Sequence, residues 1–451
     1  MELTPHKIIE NYNKKVINKD SATDQLISLI ESSTNEKIRL ESIRNLGVIN
    51  DSDSVFKLLE NLLISDKNED IRNTAALSLK KSFKNKAYNP MKWAIYHEDS
   101  PKCLNTIFKT LVLILKKLER SQDPSTKEIL IEEIKQLKNK EFTIGFERLC
   151  ENQSIESFNK TDLATILIDY YAITLLEKTI WRLKFKIKNC RVTKLGFRFK
   201  GITKLPEAIK YFSRLEKLSL RYNQLLELPK WIGTLCSLKK LNVNSNNLTG
   251  LPRSIGSLIN LKKISLRINQ IFSLPDTIGN LEELKYLYLG TNRLEELPDS
   301  IGNLKALKLL NLHDNKIISL PKTIGSLSNL ESLNLSWNEL NKLPESIGNL
   351  KALKFFDLGR NEISYLPDSI GNLKNLETLN LSENRLKNLP KTLGFLSSLK
   401  ILNLSRNQLL ELPESLGSLK GLEELYLTEN NIYKIPKSLK LLVEQGLKIY
   451  Q

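Results

Sequence analysis

Between residues 192 and 436 one 23-residue unit recurs, and that period limits the possible folds more than any other feature of the chain. Leu215, Leu218, Leu220, Asn223, Leu225, Leu228 and Pro229 open a clear copy, and Ile232, Gly233 and Leu235 close it. Asn223 returns every 23 residues from Asn246 to Asn430, and Pro229 returns at the same interval from Pro252 to Pro436. One earlier copy ends on Pro206, with Lys200 in the Asn position, which makes eleven. A fixed period of this length is the mark of stacked units, each burying its apolar face against its neighbours.

Residue types follow from that stacking. The alternation of Leu218 and Leu220 places both on one side of a short strand. Strands of successive units then pair in parallel. Asn223 ends the strand, where its amide can satisfy backbone groups at the turn, so the Asn column reads as structural. Pro229 begins the outer segment, which Ile232 and Leu235 pin back onto the core. The period and the L-x-x-L-x-L-x-x-N order predict an α/β solenoid, a leucine-rich repeat horseshoe.

The wording L-P-x-x-I-G-x-L, as in Leu228, Pro229, Ile232, Gly233 and Leu235, resembles the intracellular Ras-linked leucine-rich repeat proteins, such as Scribble, Erbin and their plant relatives. It also resembles many prokaryotic proteins with the same consensus. The resemblance covers 192–436. It implies protein binding on the concave sheet, in some members of small GTPases.

Residues 1–190 carry no such unit and read as helical. Asn35 and Asn68 stand 33 apart, and each opens a run of helical apolar spacing: Ile38, Ile43, Leu46, then Ile71, Ala75, Ala76, Leu79. Val55, Leu58, Leu59 and Leu62 mark a helix between them. This is similar to HEAT-like repeats, which are stacked helix pairs, against the plainer alternative of a helical bundle. Further on, Leu104, Ile107, Phe108 and Leu111 share a face, Ser125 and Glu128 suggest a capping box, and Thr161 a cap before Leu163. Leu183, Phe185 and Ile187 alternate with lysines, the pattern of a strand covering the open end of the solenoid. The expected organisation is HEAT-like repeats in 1–100, a helical region and N-terminal cap in 101–190, repeats in 191–436 and a C-terminal cap in 437–451. In the last of these Leu439, Leu441, Leu442, Val443 and Leu447 suggest a closing helix.

No catalytic motif accompanies this framework. The sequence has no Gly-Lys-Ser/Thr phosphate loop, H-E-x-x-H, C-x-x-C or G-x-S-x-G. Its histidines are His6, His97 and His313. His313 lies near Asn311 and Asp314 with no nucleophile or metal set, and His97, Glu98 and Asp99 read as a solvated loop. Cys103, Cys150, Cys190 and Cys236 share no disulfide or metal spacing, which suits a reducing compartment. The start, Met1 to His6, does not read as a signal peptide, and the longest apolar runs fall well short of the ~18 residues a membrane span needs. The expectation is a cytoplasmic, non-catalytic protein without cofactor or metal.

Charge distribution carries the functional reading. The chain has a formal net charge of +17, yet residues 178–267 alone hold 21 Lys and Arg against three acids, Glu207, Glu216 and Glu227. The rest holds 47 basic and 48 acidic residues, so the excess is confined to that stretch. Positions six, four and two before each Asn face the concave side. In the first four repeats these include Lys194, Lys217, Lys240 and Lys263 at minus six and Arg198, Arg221 and Arg267 at minus two, with no acid. Like charges on neighbouring strands, about 4.8 Å apart, destabilise a sheet unless splayed into solvent. Tyr286, Tyr288 and Phe355 face the same side further along, and Trp337 precedes its Asn. Exposed aromatics on a rigid sheet are the usual anchors of protein interfaces. The first reading is a protein-binding scaffold whose partner has an acidic surface. The alternative is nucleic-acid or polyanion binding at 178–267, with an anionic membrane surface as a weaker third. The lysines and aromatics fall in different repeats, which favours the first.

Overall fold

The structure, a computed structural model, describes residues 3–83 and 86–451, so Met1 and Glu2 of the chain start lie outside the described residues. The chain divides into two compact units, 1–183 with 187–192, and 184–186 with 193–451.

Among the described residues the first unit holds ten α-helices: α1 Pro5–Asn13, α2 Lys19–Ser32, α3 Glu36–Ile49, α4 Asp53–Ser65, α5 Glu69–Ser82, α6 Tyr88–His97, α7 Pro101–Glu119, α8 Ser125–Lys135, α9 Lys140–Asn152 and α10 Lys160–Thr179. Helices α2 and α3, α4 and α5, and α6 and α7 pack as pairs, and α3, α5 and α7 stack on one another. The second helix of each pair starts on a side-chain cap. Asn35 accepts from the Lys37 N–H, Asn68 from those of Asp70 and Ile71, and Ser100 from that of Cys103. The division expected at residue 100 falls between α6 and α7, which pack on each other.

An arginine just inside α3 and α5 ties each pair to the next loop. Arg39 pairs with Asp66 at 2.5 Å, and Arg72 grips both oxygens of Glu98 at 2.8 and 2.9 Å. Glu98 also accepts from the N–H groups of Asp99 and Ser100 and is buried. It is therefore a structural anchor and not part of a solvated loop. Burial opposes its ionisation, but the Arg72 fork and the Ser100 N–H outweigh that and bring its pKa down to about 2.

Two caps differ from expectation. Asp123, not Ser125, accepts from the first free N–H of α8, because Pro124 already has helical dihedrals. Asn159 caps α10, while the Thr161 hydroxyl donates to Glu119. In both cases the residue two positions earlier in sequence reaches the free N–H groups first.

The second unit contains one sheet of thirteen strands in chain order. Strand β1, Lys184–Lys188, turns through Asn189 and Cys190 into β2, Arg191–Gly196. Both turn residues have positive φ, 50° and 57°, as a type I′ hairpin requires. Ten three-residue strands follow, β3 Lys217–Ser219 to β12 Glu424–Tyr426, one per repeat, and all pair in parallel. A 3₁₀ segment such as Lys230–Thr234 runs back behind each strand, and the leucines between the two layers are buried. The repeat glycine has a steric reason: a Cβ on Gly279 would stand 2.4 Å from the Ser300 carbonyl oxygen of the next repeat.

The Asn column is a continuous ladder. Asn246 donates to the carbonyls of Leu220 and Val243, while its Oδ1 accepts from the Leu225 N–H. The first rung substitutes backbone for side chain: the Lys200 N–H, where the degenerate repeat lacks Asn, donates to Asn223 Oδ1. The residue before each Asn is left-handed, from Phe199 at φ 55° to Glu429 at the same value. At the C-terminal edge the closing helix α11, Lys437–Glu444, buries Leu439 and Leu442 but leaves Leu441 and Val443 exposed. Leu447 lies beyond it, buried, leading into a further strand, β13 Lys448–Tyr450, that pairs with β12.

Candidate functional site: the open face of the sheet

Strand register decides which candidate residues meet. Lys194, Lys217, Lys240, Lys263 and Tyr286 are consecutive partners across β2 to β6. The column continues through Leu309 and Ser332 to Phe355. It faces solvent throughout, because its strand neighbours Leu218, Leu241 and Ile264 hold the buried side. Tyr286 is 37% and Phe355 38% exposed.

At the basic end the face sinks into a depression of about 470 Å³. Lys194, Lys217, Arg221, Lys240 and Lys263 line it, joined by Lys184 and Lys186 of β1. Its floor is low because Gly196, Ser219, Asn242 and Ser265 stand four before the Asn position in these repeats, where the next repeat has Tyr288. No acid lines it, and none of the seven cations makes an ion pair among the described residues. Repulsion from Lys217 and Lys186 pushes the Lys194 pKa below its ordinary value. Elsewhere on the sheet charges are matched across repeats: Lys239 with Glu216 at 2.6 Å, Lys308 with Glu331 at 2.7 Å, Lys400 with Glu377 at 2.8 Å. The lysine ladder departs from the chain's own habit.

Arg198 and Arg267 fall outside the depression. Arg198 lies over the rings of Phe199 and Tyr222, which stack at 4.5 Å. Lys263 Nζ sits 4.6 Å from the Tyr288 ring centre. The lysine ladder and the aromatics Tyr286, Tyr288, Trp337 and Phe355 do lie in different repeats, as expected, yet Lys263 reaches Tyr288 in the next one, and Arg198 and Phe199 meet within a single repeat. Phe199 and Tyr222 were legible: they occupy the same column as Trp337, one before the Asn position. Lys184 and Lys186 depend on the hairpin, which the repeat count does not describe.

Trp337 does not join Tyr286 and Phe355. It lies at the opposite end of its strand, 49% exposed, with the Arg360 guanidinium 3.8 Å over its ring and His313 edge-on. It borders a polar groove with Arg267, Asn334, Asp357 and Asn380. There Asn334 Oδ1 accepts from the Ser336 N–H and hydroxyl, and Asn380 Oδ1 from those of Ser382. With its proton on Asn334, Ser336 Oγ accepts from His313 Nδ1 at 2.9 Å. The hydroxyl that the groove brings to His313, Ser336 Oγ, gives its own proton to Asn334 Oδ1 at 2.7 Å, and no group of three or more metal-ligating side chains occurs among the described residues.

Comparison with known proteins agrees with this geometry. A leucine-rich repeat region model matches residues 272–355 and 343–444, and two further leucine-rich repeat models match 236–294 and 214–235. A leucine-rich repeat protein of Leptospira interrogans is 34% identical over 57% of this chain and 83% of its own, with a TM-score of 0.34. The chain belongs to the leucine-rich repeat proteins.

A HEAT repeats model matches residues 23–107 of this leucine-rich repeat protein, spanning the three helix pairs. The solved structure of a TDR receptor is 32% identical over 57% of the chain, with a TM-score of 0.52. A plant peptide hormone receptor in complex with RGF2 is 33% identical over 53%, with a TM-score of 0.48. The chain spans 46% and 40% of those two chains. None of the curated proteins matches it. No helix among the described residues is long and apolar enough to cross a membrane.

Proposed function

We propose that this leucine-rich repeat protein is a non-catalytic scaffold in the cytoplasm that binds a protein partner with an acidic surface on the open face of its sheet. One observation carries the reading: a single solvent-facing column runs from four unpaired lysines into Tyr286 and on to Phe355. Lys194, Arg198, Lys217, Arg221, Lys240, Lys263 and Arg267 attract and orient the partner, since exposed charge acts at long range. Tyr286, Tyr288 and Phe355 anchor it by burial, and Trp337 contributes from the polar groove. The resemblance of L-P-x-x-I-G-x-L to the Ras-linked subclass makes a small GTPase the first partner to try.

A second reading, single-stranded nucleic acid at the basic end, draws support from the Arg198, Phe199 and Tyr222 stack, because bases stack on aromatics beside phosphate-binding cations. The test is affinity capture with and without nuclease, followed by rate measurements on the partner at two salt concentrations. In the scaffold reading Lys217→Glu with Lys240→Glu slows association and flattens its salt dependence, whereas Tyr286→Ala or Phe355→Ala speeds dissociation by about 30-fold, the equivalent of ~2 kcal/mol. Release by nuclease, with aromatic variants binding like wild type, overturns it.

A further inference from the structure

We infer that the lysine-lined depression is a binding site for a compact polyphosphate, a small molecule carrying several phosphate groups. Charge density and volume decide the class. Seven cations converge on about 470 Å³ with no acid among the lining residues. A phosphate group carries about −1.5 to −2 charges at neutral pH, so about four neutralise the site. Seven carboxylates would be needed for the same effect, and seven acidic side chains with their stems do not fit that space.

Residue type agrees. Arginine's planar fork grips carboxylate and phosphate alike, and the lysine ammonium, a compact point charge with three donors, binds phosphate without a fixed approach. The ladder is Lys194, Lys217, Lys240 and Lys263, with strands about 4.8 Å apart, so neighbouring ammonium groups can share one ligand. Small floor residues let the ligand sink to the sheet, where Ser219 and Asn242 offer further donors. Extent agrees too: the column turns to Tyr286 after four rungs, which bounds the ligand along the sheet. Like charges held this close cost stability in the empty site, as the lowered Lys194 pKa reflects, and a bound polyanion relieves that cost.

Calorimetry of the full chain with sodium tripolyphosphate tests this, at about 0.15 M salt to suppress loose ion binding. One saturable site is expected, with a rise in melting temperature on binding. Lys217→Gln with Lys240→Gln should weaken it at least tenfold while raising the melting temperature of the ligand-free protein, which separates lost binding from lost folding. Lys308→Gln, which removes a lysine paired with Glu331, should leave the affinity unchanged. The protein-binding reading shares these lysines and is told apart by Phe355→Ala: Phe355 lies outside the depression, and its loss speeds release of the protein partner. Unsaturable binding, or equal affinity in the double-lysine variant, overturns the proposal. So does tighter binding of a glutamate-rich peptide or an oligothymidine of equal charge, which would assign the depression to an acidic protein or a nucleic acid.

Discussion

The left-handed residue before each Asn is the most repeated irregularity in the chain, and its occupants are unequal. A non-glycine residue there costs ~1–2 kcal/mol, least for Asn and most for a β-branched side chain. Ile268 and Thr291, both β-branched and both at φ 58°, are therefore the most strained occupants, and Ile268 is 52% exposed. Ile268→Asn should stabilise the protein by about 1 kcal/mol, read as a higher midpoint in urea. The Asn ladder predicts the opposite sign. Asn315 donates to the Leu289 and Leu312 carbonyls and accepts from the Leu294 N–H, all buried. Asn315→Ala orphans three backbone groups at once and should cost at least ~2–3 kcal/mol. In the helical unit Glu98 has a folded-state pKa depressed to about 2, below the ordinary 4.5. Its contribution is present in full above about pH 4.5 and is lost as pH falls from there towards 2. Thermal melts of wild type and Glu98→Gln should differ most near pH 6, still differ at about pH 3, and converge only by about pH 2.

At the scale of elements, the repeat was legible because one residue pattern is printed eleven times, so the period outweighs any local exception. The helix pairs were legible where a cap and its apolar run recur, as at Asn35 and Asn68. The third pair was missed because Ser100 and Pro101 replace the Asn signal. Caps at Asp123 and Asn159 were missed because several capping residues compete within three positions, and backbone dihedrals choose among them. The lysine and aromatic columns could be read from the Asn count alone. The count also put Trp337 at the strand end, one before its Asn; what it could not give is that Trp337 lies under Arg360 and beside His313 on a polar groove, apart from Tyr286 and Phe355. At the closing edge the helix was expected but its buried face was not resolved by spacing. Leu439 is fully buried and Leu441 exposed, so Leu439→Ala should cost about 3 kcal/mol and Leu441→Ala less than about 0.5. Equal effects would mean that α11 packs through a different face.

For the whole molecule, the charge excess between 178 and 267 sits where the sheet face lacks acids, while the remaining repeats match their charges across neighbouring units. A protein so arranged presents two distinct surfaces on one side of its solenoid, a cationic depression and a half-exposed aromatic column. The central claim is that partners meet the chain on this face. A photoreactive phenylalanine analogue placed at Ser332 or Thr378, on the open face, and at Lys322 or Lys391, on the 3₁₀ segments behind it, tests the claim directly. Irradiation in lysate followed by mass spectrometry should give the same single protein adduct from both open-face positions and none from the two behind. Adducts of equal yield from Lys322 and Lys391, or from those positions alone, would contradict it.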